Sequence, residues 1–267
     1  MELDALVPIA RVGADERTPV PQNPAEVLAR LMDFSGSIAL AELLHEPAPD
    51  GPPHPNAARL ARKLKDKVDA YFANAQAQVL RPLTGRRAPS IPTAEELLAV
   101  IRSISGTIAS DSGSTITPRP DDKTAQRLAR ELGAPFWSAL RASLRQAQSQ
   151  VTTLRSKVTL DVRELGPRAE RLEQIDAVLQ RSIEAKLTEL FERFELAAEL
   201  TFERACLHAC SELPEGFGEA ELAAWVAHDG WIERYRERCV RMTQALYGHL
   251  RRSLEGLLFA AAAAEVS

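Results

Sequence analysis

The run CLHAC at residues 206–210 holds the side chains of this chain whose types come closest to a metal site. Zinc needs ligands that converge on one point. On a helix, Cys206 and Cys210 lie about 40° apart, whereas His208 points roughly 160° to 200° away from them. The spacing therefore favours a buried pair of reduced thiols and predicts no metal. A structural metal that also uses Cys239 is a minor alternative, because no fourth ligand is identified.

Short signatures of nucleotide-binding and hydrolytic enzymes are missing from the sequence. It contains no G-x-x-x-x-G-K-[ST], no G-x-G-x-x-G, no G-x-S-x-G and no H-E-x-x-H. We therefore predict a non-enzymatic protein with no catalytic residue and no cofactor. An enzyme with an unrecognised helical site is the weakest alternative.

Basic residues crowd one face of the second predicted helix, at Arg59, Arg62, Lys63, Lys65 and Lys67. At about 100° per residue, they lie opposite an apolar face that holds Leu64 and Val68. Between residues 54 and 90 there are eight basic and two acidic residues, a local charge of +6 in a chain whose net charge is −4. This face is either an ordinary solvated surface or a docking surface for phosphate or an acidic partner.

The docking interpretation is supported by further arginines in the loop that follows this helix. The candidate contacts to a partner or to nucleic acid are Arg59, Arg62, Lys63, Lys67, Arg86 and Arg87. Stacking on single-stranded nucleic acid is not supported, because no exposed aromatic residues are interleaved with these cations.

Four glutamates form the converse pattern on the longest predicted helix, at positions 192, 195, 199 and 203. They fall within about 60° of arc, and like charges at this spacing oppose helix formation by about 0.2 to 0.5 kcal/mol per pair. Burial of the other helix face could offset this repulsion, and so could a basic partner. The sequence favours core burial.

Two tryptophans, Trp225 and Trp231, flank the tripeptide HDG at 228–230, where glycine permits a chain reversal. Large aromatic residues beside a reversal usually belong to the core. If exposed, they would serve as anchors for a binding partner, so both join the candidate contact residues.

Composition and periodicity predict an all-α fold. Aromatic residues make up only 5% of the chain, while alanine and leucine dominate, which favours helices over strands. Apolar positions recur at helical spacing from Phe136 to Val162 and from Leu172 to Ala205. The second pattern repeats about every 3.67 residues, which favours a straight helix, roughly 65 Å long, over a coiled coil. We expect an elongated antiparallel bundle with long C-terminal helices and a smaller N-terminal helical part.

Proline-rich and polar breaks divide the chain into predicted segments. These are a flexible arm at 1–22, an N-terminal helical part at 23–109, a linker at 110–120, a long-helix bundle at 121–258 and a tail at 259–267. Helices are predicted at 23–45, 56–80, 93–109, 121–166 with a bend at Pro135, 167–210 and 230–257.

The N-terminal residues lack the basic and apolar regions of a secretory signal. The longest apolar run, Leu257 to Ala264, has eight residues, far fewer than the roughly 20 that span a bilayer. We therefore expect a cytoplasmic protein with no membrane insertion.

Several stretches resemble a bacterial helical family of unknown function. They are WVAHDGWIERYRERC at 225–239, LRRSLEGLL at 250–258, LEQIDAVLQRSIEAKLTELFERFE at 172–195, and the early VLARLMDF and SIALAELL. That family is encoded beside MotA/TolQ/ExbB-like proton-channel and OmpA-like genes, and similar proteins are accessory components of Zorya-type antiphage defence. The resemblance implies a non-enzymatic subunit whose partners are other defence-system subunits, including a proton-driven motor complex. The alternative is a nucleic-acid-binding helical module that uses the basic face around residues 59–87.

Overall fold

The computed structural model describes residues 34–47, 55–105, 108–109 and 115–264. These residues form an all-α fold, which confirms the predicted fold class. The helices within them are α1 (Phe34–His45), α2 (Ala57–Thr84), α3 (Ala94–Ser105), α4 (Asp122–Arg163), α5 (Pro167–Ser211), α6 (Glu219–Val226) and α7 (Trp231–Ala264). Two-residue strands β1 (Ile108–Ala109) and β2 (Thr115–Ile116) pair antiparallel, with Ile108 opposite Ile116. The arm at 1–22, the predicted helical residues 23–33 and residues 110–114 of the linker lie outside the described residues.

Helix starts follow the capping signals of the sequence. The Thr93 hydroxyl accepts a hydrogen bond from the Glu96 amide at 3.1 Å, and the Glu96 carboxylate accepts one from the Thr93 amide at 2.7 Å. Asp121 caps α4 by accepting a hydrogen bond from the Thr124 amide at 2.8 Å. These side chains satisfy amides that the first helical turn leaves without a carbonyl partner.

Helices α2, α4, α5 and α7 form an up-down-up-down four-helix bundle. The contacts that fix their directions are Lys67–Asp161 and Gln78–Gln150 for α2 and α4, Arg163–Glu173 and Arg141–Glu199 for α4 and α5, Gln180–Ser253 and Ala198–Tyr235 for α5 and α7, and Asp69–Arg251 and Phe72–Tyr247 for α2 and α7. In each pair of contacts the residue number rises along one helix and falls along the other, so neighbouring helices run antiparallel. At 45 residues, α5 is about 68 Å long, which makes the bundle elongated.

Two hydrophobic cores fill the bundle. One combines α3 and α6 with the N-terminal half of α4, the C-terminal half of α5 and the start of α7. The other combines α2 with the C-terminal halves of α4 and α7. Both cores join residues from before and after the predicted linker, so the part predicted at 23–109 shares its cores with the bundle. The tail predicted at 259–267 is helical as far as Ala264, and Ala261 is fully buried.

The buried face of α5 differs from the predicted one. The sequence places Leu190, Phe194, Ala197 and Thr201 on the core face, but Leu190 is exposed and the other three are only partly buried. The buried residues of this half are Phe191, Ala198, Phe202, Cys206, Ala209 and Cys210. Apolar residues occur on several faces of α5, so spacing alone did not identify the face that α4 and α7 cover. Along α4 every predicted apolar position from Phe136 to Val162 is buried.

A smaller difference concerns the end of α2, which continues to Thr84 beyond the predicted break at Pro82. Leu83 is fully buried there and anchors this last turn in the first core. Within the described residues, none of the helices has both the length and the apolar character that crossing a bilayer requires.

Candidate partner-binding site

The candidate site is the outer face of α2. Burial of Leu64, Val68 and Phe72 against α4 and α7 turns the opposite face of the helix to solvent. That face carries the basic cluster, which we define as Arg59, Arg62, Lys63, Lys65 and Lys67, and all five side chains are exposed. The amphipathic pattern of α2 is therefore sufficient to hold five cations on one surface.

Arg86 and Arg87 are also exposed, but they follow the C-terminal end of α2. Lys67 and Thr84 are separated by about 25 Å of helix, so the structure does not bring these two arginines into the basic cluster. The six candidate cations predicted from the sequence therefore form two separate groups at the two ends of α2.

Most of the basic cluster has no acidic counterpart within the described residues. Asp69 on the same helix is bound by Arg251 of α7, with 2.7 Å between Oδ1 and Nη2. Lys67 contacts Asp161 of α4 at 3.5 Å. Arg59, Arg62 and Lys63 form neither an ion pair nor a side-chain hydrogen bond with any described residue. The cluster therefore keeps a positive surface that faces outward.

The glutamates at 192, 195, 199 and 203 form an acidic stripe on α5. Unlike the basic cluster, this stripe is faced by residues of opposite charge, the arginines of α4. Glu199 lies 3.9 Å from Arg141, and Glu203 lies 4.0 Å from Arg130. Burial raises the pKa of the Glu195 carboxyl, and the positive charge of Arg141 opposes this rise. A basic partner for the stripe, which the sequence analysis ranked below core burial, is thus supplied within the molecule.

Of the two roles that the sequence left open for Trp225 and Trp231, the structure favours packing in the core over an exposed anchor. Trp225 is only 7% exposed and packs edge-on against Trp231, with 5.8 Å between ring centroids. Trp231 is partly buried and contacts Phe202 at 5.1 Å. The reversal that positions them needs Gly230, because a Cβ atom there would lie 2.3 Å from the carbonyl oxygen of Trp225. Their physical role is to close the first core.

The three cysteines are free and buried, as predicted. The Cys206 thiol donates a long hydrogen bond to the Ala125 carbonyl at 3.8 Å, and contact with Cys210 and burial both raise its pKa. Burial raises the pKa of Cys239 to about 11. The described part of the chain contains no group of three or more His, Cys, Asp or Glu side chains arranged to hold a metal ion.

Sequence reasoning missed a groove of about 860 Å³ between α4, α5 and α7, which is lined by both apolar and charged side chains. Arg155 forms an ion pair with Asp176 and donates a hydrogen bond to the Ser253 hydroxyl at 2.7 Å. Burial raises the pKa of Asp176, although the charge of Arg155 acts in the opposite direction. Two ion pairs of this groove, Arg155–Asp176 and Arg163–Glu173, join α4 to α5, and the Arg155–Ser253 hydrogen bond adds α7.

A sequence signal for this groove exists in α5. Glu173, Asp176, Gln180 and Glu184 recur every three or four residues within an otherwise apolar pattern, and all four line the groove. A polar stripe at helical spacing on a helix with several apolar faces indicates a polar or hydrated interior surface. Its partners on α4 and α7 carry no comparable signature.

Residues 6–262 match the model of a family described as a protein of unknown function, DUF3348. The chain belongs to this family. The DUF3348 match includes α1 to α6 completely and α7 as far as residue 262, and therefore both cores and the basic cluster. No curated protein matches the chain, and no solved structure matches it.

Proposed function

We propose that this chain is a non-enzymatic, cytoplasmic helical subunit of an antiphage defence assembly linked to a proton-driven motor. It acts by binding an acidic surface of a partner protein through the basic cluster of α2. The defence context rests on the resemblance of residues 172–195, 225–239 and 250–258 to the family described above. The mode of binding rests on the distribution of charge over the bundle.

The observation that carries this proposal is the contrast between the two charged surfaces. Arginines of α4 face the acidic stripe of α5, whereas Arg59, Arg62 and Lys63 have no acidic partner within the described residues. Of the two acids of α2, Asp69 is bound by Arg251 and does not neutralise the cluster, while Asp66 is exposed among the cations. A chain with a net charge of −4 thus presents a local positive surface, which attracts a negatively charged partner.

An acidic protein surface fits this cluster better than nucleic acid does. Asp66 is exposed among the cations and would repel a phosphate backbone, but it can pair with a basic residue of a protein. The aromatic residues of α2, Tyr71 and Phe72, pack toward α4 and α7, so they are not placed to stack on bases. Nucleic-acid binding is therefore the alternative against which the proposal is tested.

Co-expression with MotA/TolQ/ExbB-like proton-channel and OmpA-like genes, of the kind that the resemblance implies, tests the proposal. We expect a complex that survives affinity purification and is lost in the variant Arg59→Glu/Arg62→Glu/Lys63→Glu. The matched control, Arg127→Glu/Arg234→Glu/Arg241→Glu, makes the same change of charge at exposed arginines outside the cluster and should keep the complex. The proposal fails if the wild-type chain purifies without a partner and its omission leaves phage resistance unchanged.

The nucleic-acid alternative predicts a different result. Fluorescence anisotropy with duplex DNA and with RNA would then show an affinity that falls steeply with salt, with a slope of about 0.9 per neutralised phosphate on DNA. If the triple variant abolishes that binding while the purified complex persists, the basic cluster is a nucleic-acid surface and the protein-docking proposal is wrong.

A further inference from the structure

The outer face of α5 carries two leucines that the described residues leave substantially exposed. Leu196 is 56% exposed and Leu200 is 41% exposed. Both lie two residues from Ala198, which is buried in the first core, so they point about 160° away from the bundle interior. Exposed leucines one helical turn apart on a well-ordered helix indicate a contact surface.

Charged residues flank these leucines symmetrically. Arg193 lies three residues before Leu196, and Glu203 lies three residues after Leu200. The four positions are therefore centred on residue 198. If a second α5 packs antiparallel about a two-fold axis at this point, Leu196 meets the second copy's Leu200, and Arg193 meets its Glu203. The symmetry repeats both contacts, so one face supplies two leucine layers and two opposite-charge pairs.

We propose that the outer face of α5 binds a second copy of this chain in an antiparallel arrangement, with Leu196 and Leu200 at the centre and Arg193–Glu203 pairs on both sides. The spacing of these positions, at three and four residues, is that of an antiparallel helix pair with apolar layers. Charge complementarity of the face with itself selects a second copy rather than a chain of different sequence.

Both charged residues are able to exchange partners. Arg193 is 69% exposed and contacts Glu189 on its own helix, while Glu203 is 28% exposed and lies 4.0 Å from Arg130. The Arg193–Glu189 pair is exposed and contributes little to stability, and the Arg130–Glu203 contact is long at 4.0 Å, so replacing them with contacts in the dimer costs little. The face is also remote from the basic cluster, because α2 and α5 occupy diagonal corners of the bundle. The dimer and the proposed partner contact are therefore independent.

Charge reversal with mixing tests this dimer by analytical ultracentrifugation. The wild-type chain should sediment at twice the 29.3 kDa of one copy. Arg193→Glu alone and Glu203→Arg alone each place two like-charge pairs in the interface, and we expect the dimer dissociation constant to rise at least about tenfold. An equimolar mixture of the two variants pairs opposite charges at both sites, so it should recover the dimer. The double variant Arg193→Glu/Glu203→Arg should recover it too.

Arg127→Glu is the matched control, because Arg127 is an exposed arginine in an i,i+4 pair with Glu131, as Arg193 is with Glu189. It should leave the dimer intact, and circular dichroism should show unchanged helix content in every variant. A wild-type chain that stays monomeric at about 100 µM, well above the micromolar range of ordinary weak dimers, overturns the proposal. The proposal is also wrong if Arg193→Glu leaves the dimer dissociation constant unchanged, or if the mixture of the two variants stays monomeric.

Discussion

The guanidinium of Arg155 on α4 binds the carboxylate of Asp176 on α5 inside the bundle. The two side chains are only 16% and 18% exposed. The same guanidinium donates a hydrogen bond to Ser253 of α7 at 2.7 Å, so one cation connects three helices. Charges that are largely removed from water need each other, because each alone would lose its hydration without compensation.

Removal of the cation should therefore destabilise the fold. We expect Arg155→Met to lower the free energy of unfolding by about 2 kcal/mol at pH 7, since it leaves the Asp176 carboxylate shielded and unpaired. Burial already raises the pKa of Asp176 above its ordinary value of 3.8, so the folded protein binds this proton more tightly than the unfolded chain does. The loss caused by Arg155→Met should shrink as the pH falls and the carboxyl is protonated. Urea unfolding at several pH values measures both effects.

The complementary variant, Asp176→Asn, should have a smaller effect, because the Arg155 guanidinium keeps its hydrogen bond to the Ser253 hydroxyl at 2.7 Å. The pKa of Asp176 is higher in the folded protein than in the unfolded chain. Ionisation of this carboxyl therefore lowers the free energy of unfolding as the pH rises from the unfolded pKa through the folded pKa. Asparagine does not titrate, so the variant lacks this loss. We expect Asp176→Asn to lie within about 1 kcal/mol of the wild type at pH 7. Equal losses for Arg155→Met and Asp176→Asn would show that burial of the carboxylate is not the dominant cost.

Phe202 holds the first core together. It is fully buried, and its ring lies within 6.0 Å of the rings of Phe136, Trp137, Trp231 and Tyr235. Phe202→Ala should lower the free energy of unfolding by about 3 to 5 kcal/mol, because it leaves a cavity among rings that cannot all collapse. Phe259→Ala makes the same change at a side chain that is 79% exposed and should change it by less than about 0.5 kcal/mol. Denaturant unfolding followed by tryptophan fluorescence compares the two variants. Similar losses of stability would contradict the central role of Phe202 in the first core.

Two glycines inside α7 weaken that helix without a packing reason. No atom lies within 4 Å of a Cβ built at Gly248 or Gly256. Gly248→Ala and Gly256→Ala should each raise the free energy of unfolding by about 0.5 to 1 kcal/mol, because alanine loses less backbone entropy in a helix. Gly230→Ala should instead lower it by about 2 kcal/mol or more, since its Cβ would clash with backbone of Trp225. Thermal unfolding followed by circular dichroism measures both the expected increase and the expected decrease in stability.

The reactivity of the three thiols tests the packing of the first core, which contains all of them. All three cysteines are buried and therefore shielded from a reagent, and burial raises the pKa of Cys239 to about 11, so little Cys239 thiolate is present at pH 8. We expect an aromatic disulfide reagent to react with none of them rapidly in the native protein and with all three in guanidinium chloride. One rapidly reacting thiol under native conditions would show that the core near α5 opens readily.

The sequence predicted the buried face of a helix correctly where that helix has a single apolar stripe. On α4, every apolar position predicted from Phe136 to Val162 is buried, because a single apolar stripe lies between charged faces. On α5, apolar residues cover several faces, so the periodicity selected Phe194 and Thr201 instead of Phe202. Side chains of α4 and α7 decide which stripe is buried, and they lie far away in sequence. The positions of the basic cluster needed only the local pattern of α2.

The sequence by itself determined the all-α class, the helix starts at Thr93 and Asp121, and the outward basic face of α2, because capping and amphipathicity act within a few residues. Only the tertiary structure decided that Asp69 is bound by Arg251, that α4 neutralises the acidic stripe, and that Trp225 is interior. These outcomes depend on which helix faces meet, and that choice arises from the simultaneous packing of four helices. A cluster of charged residues that are close in sequence forms a charged surface only where the packing of the helices leaves those residues without ion-pair partners.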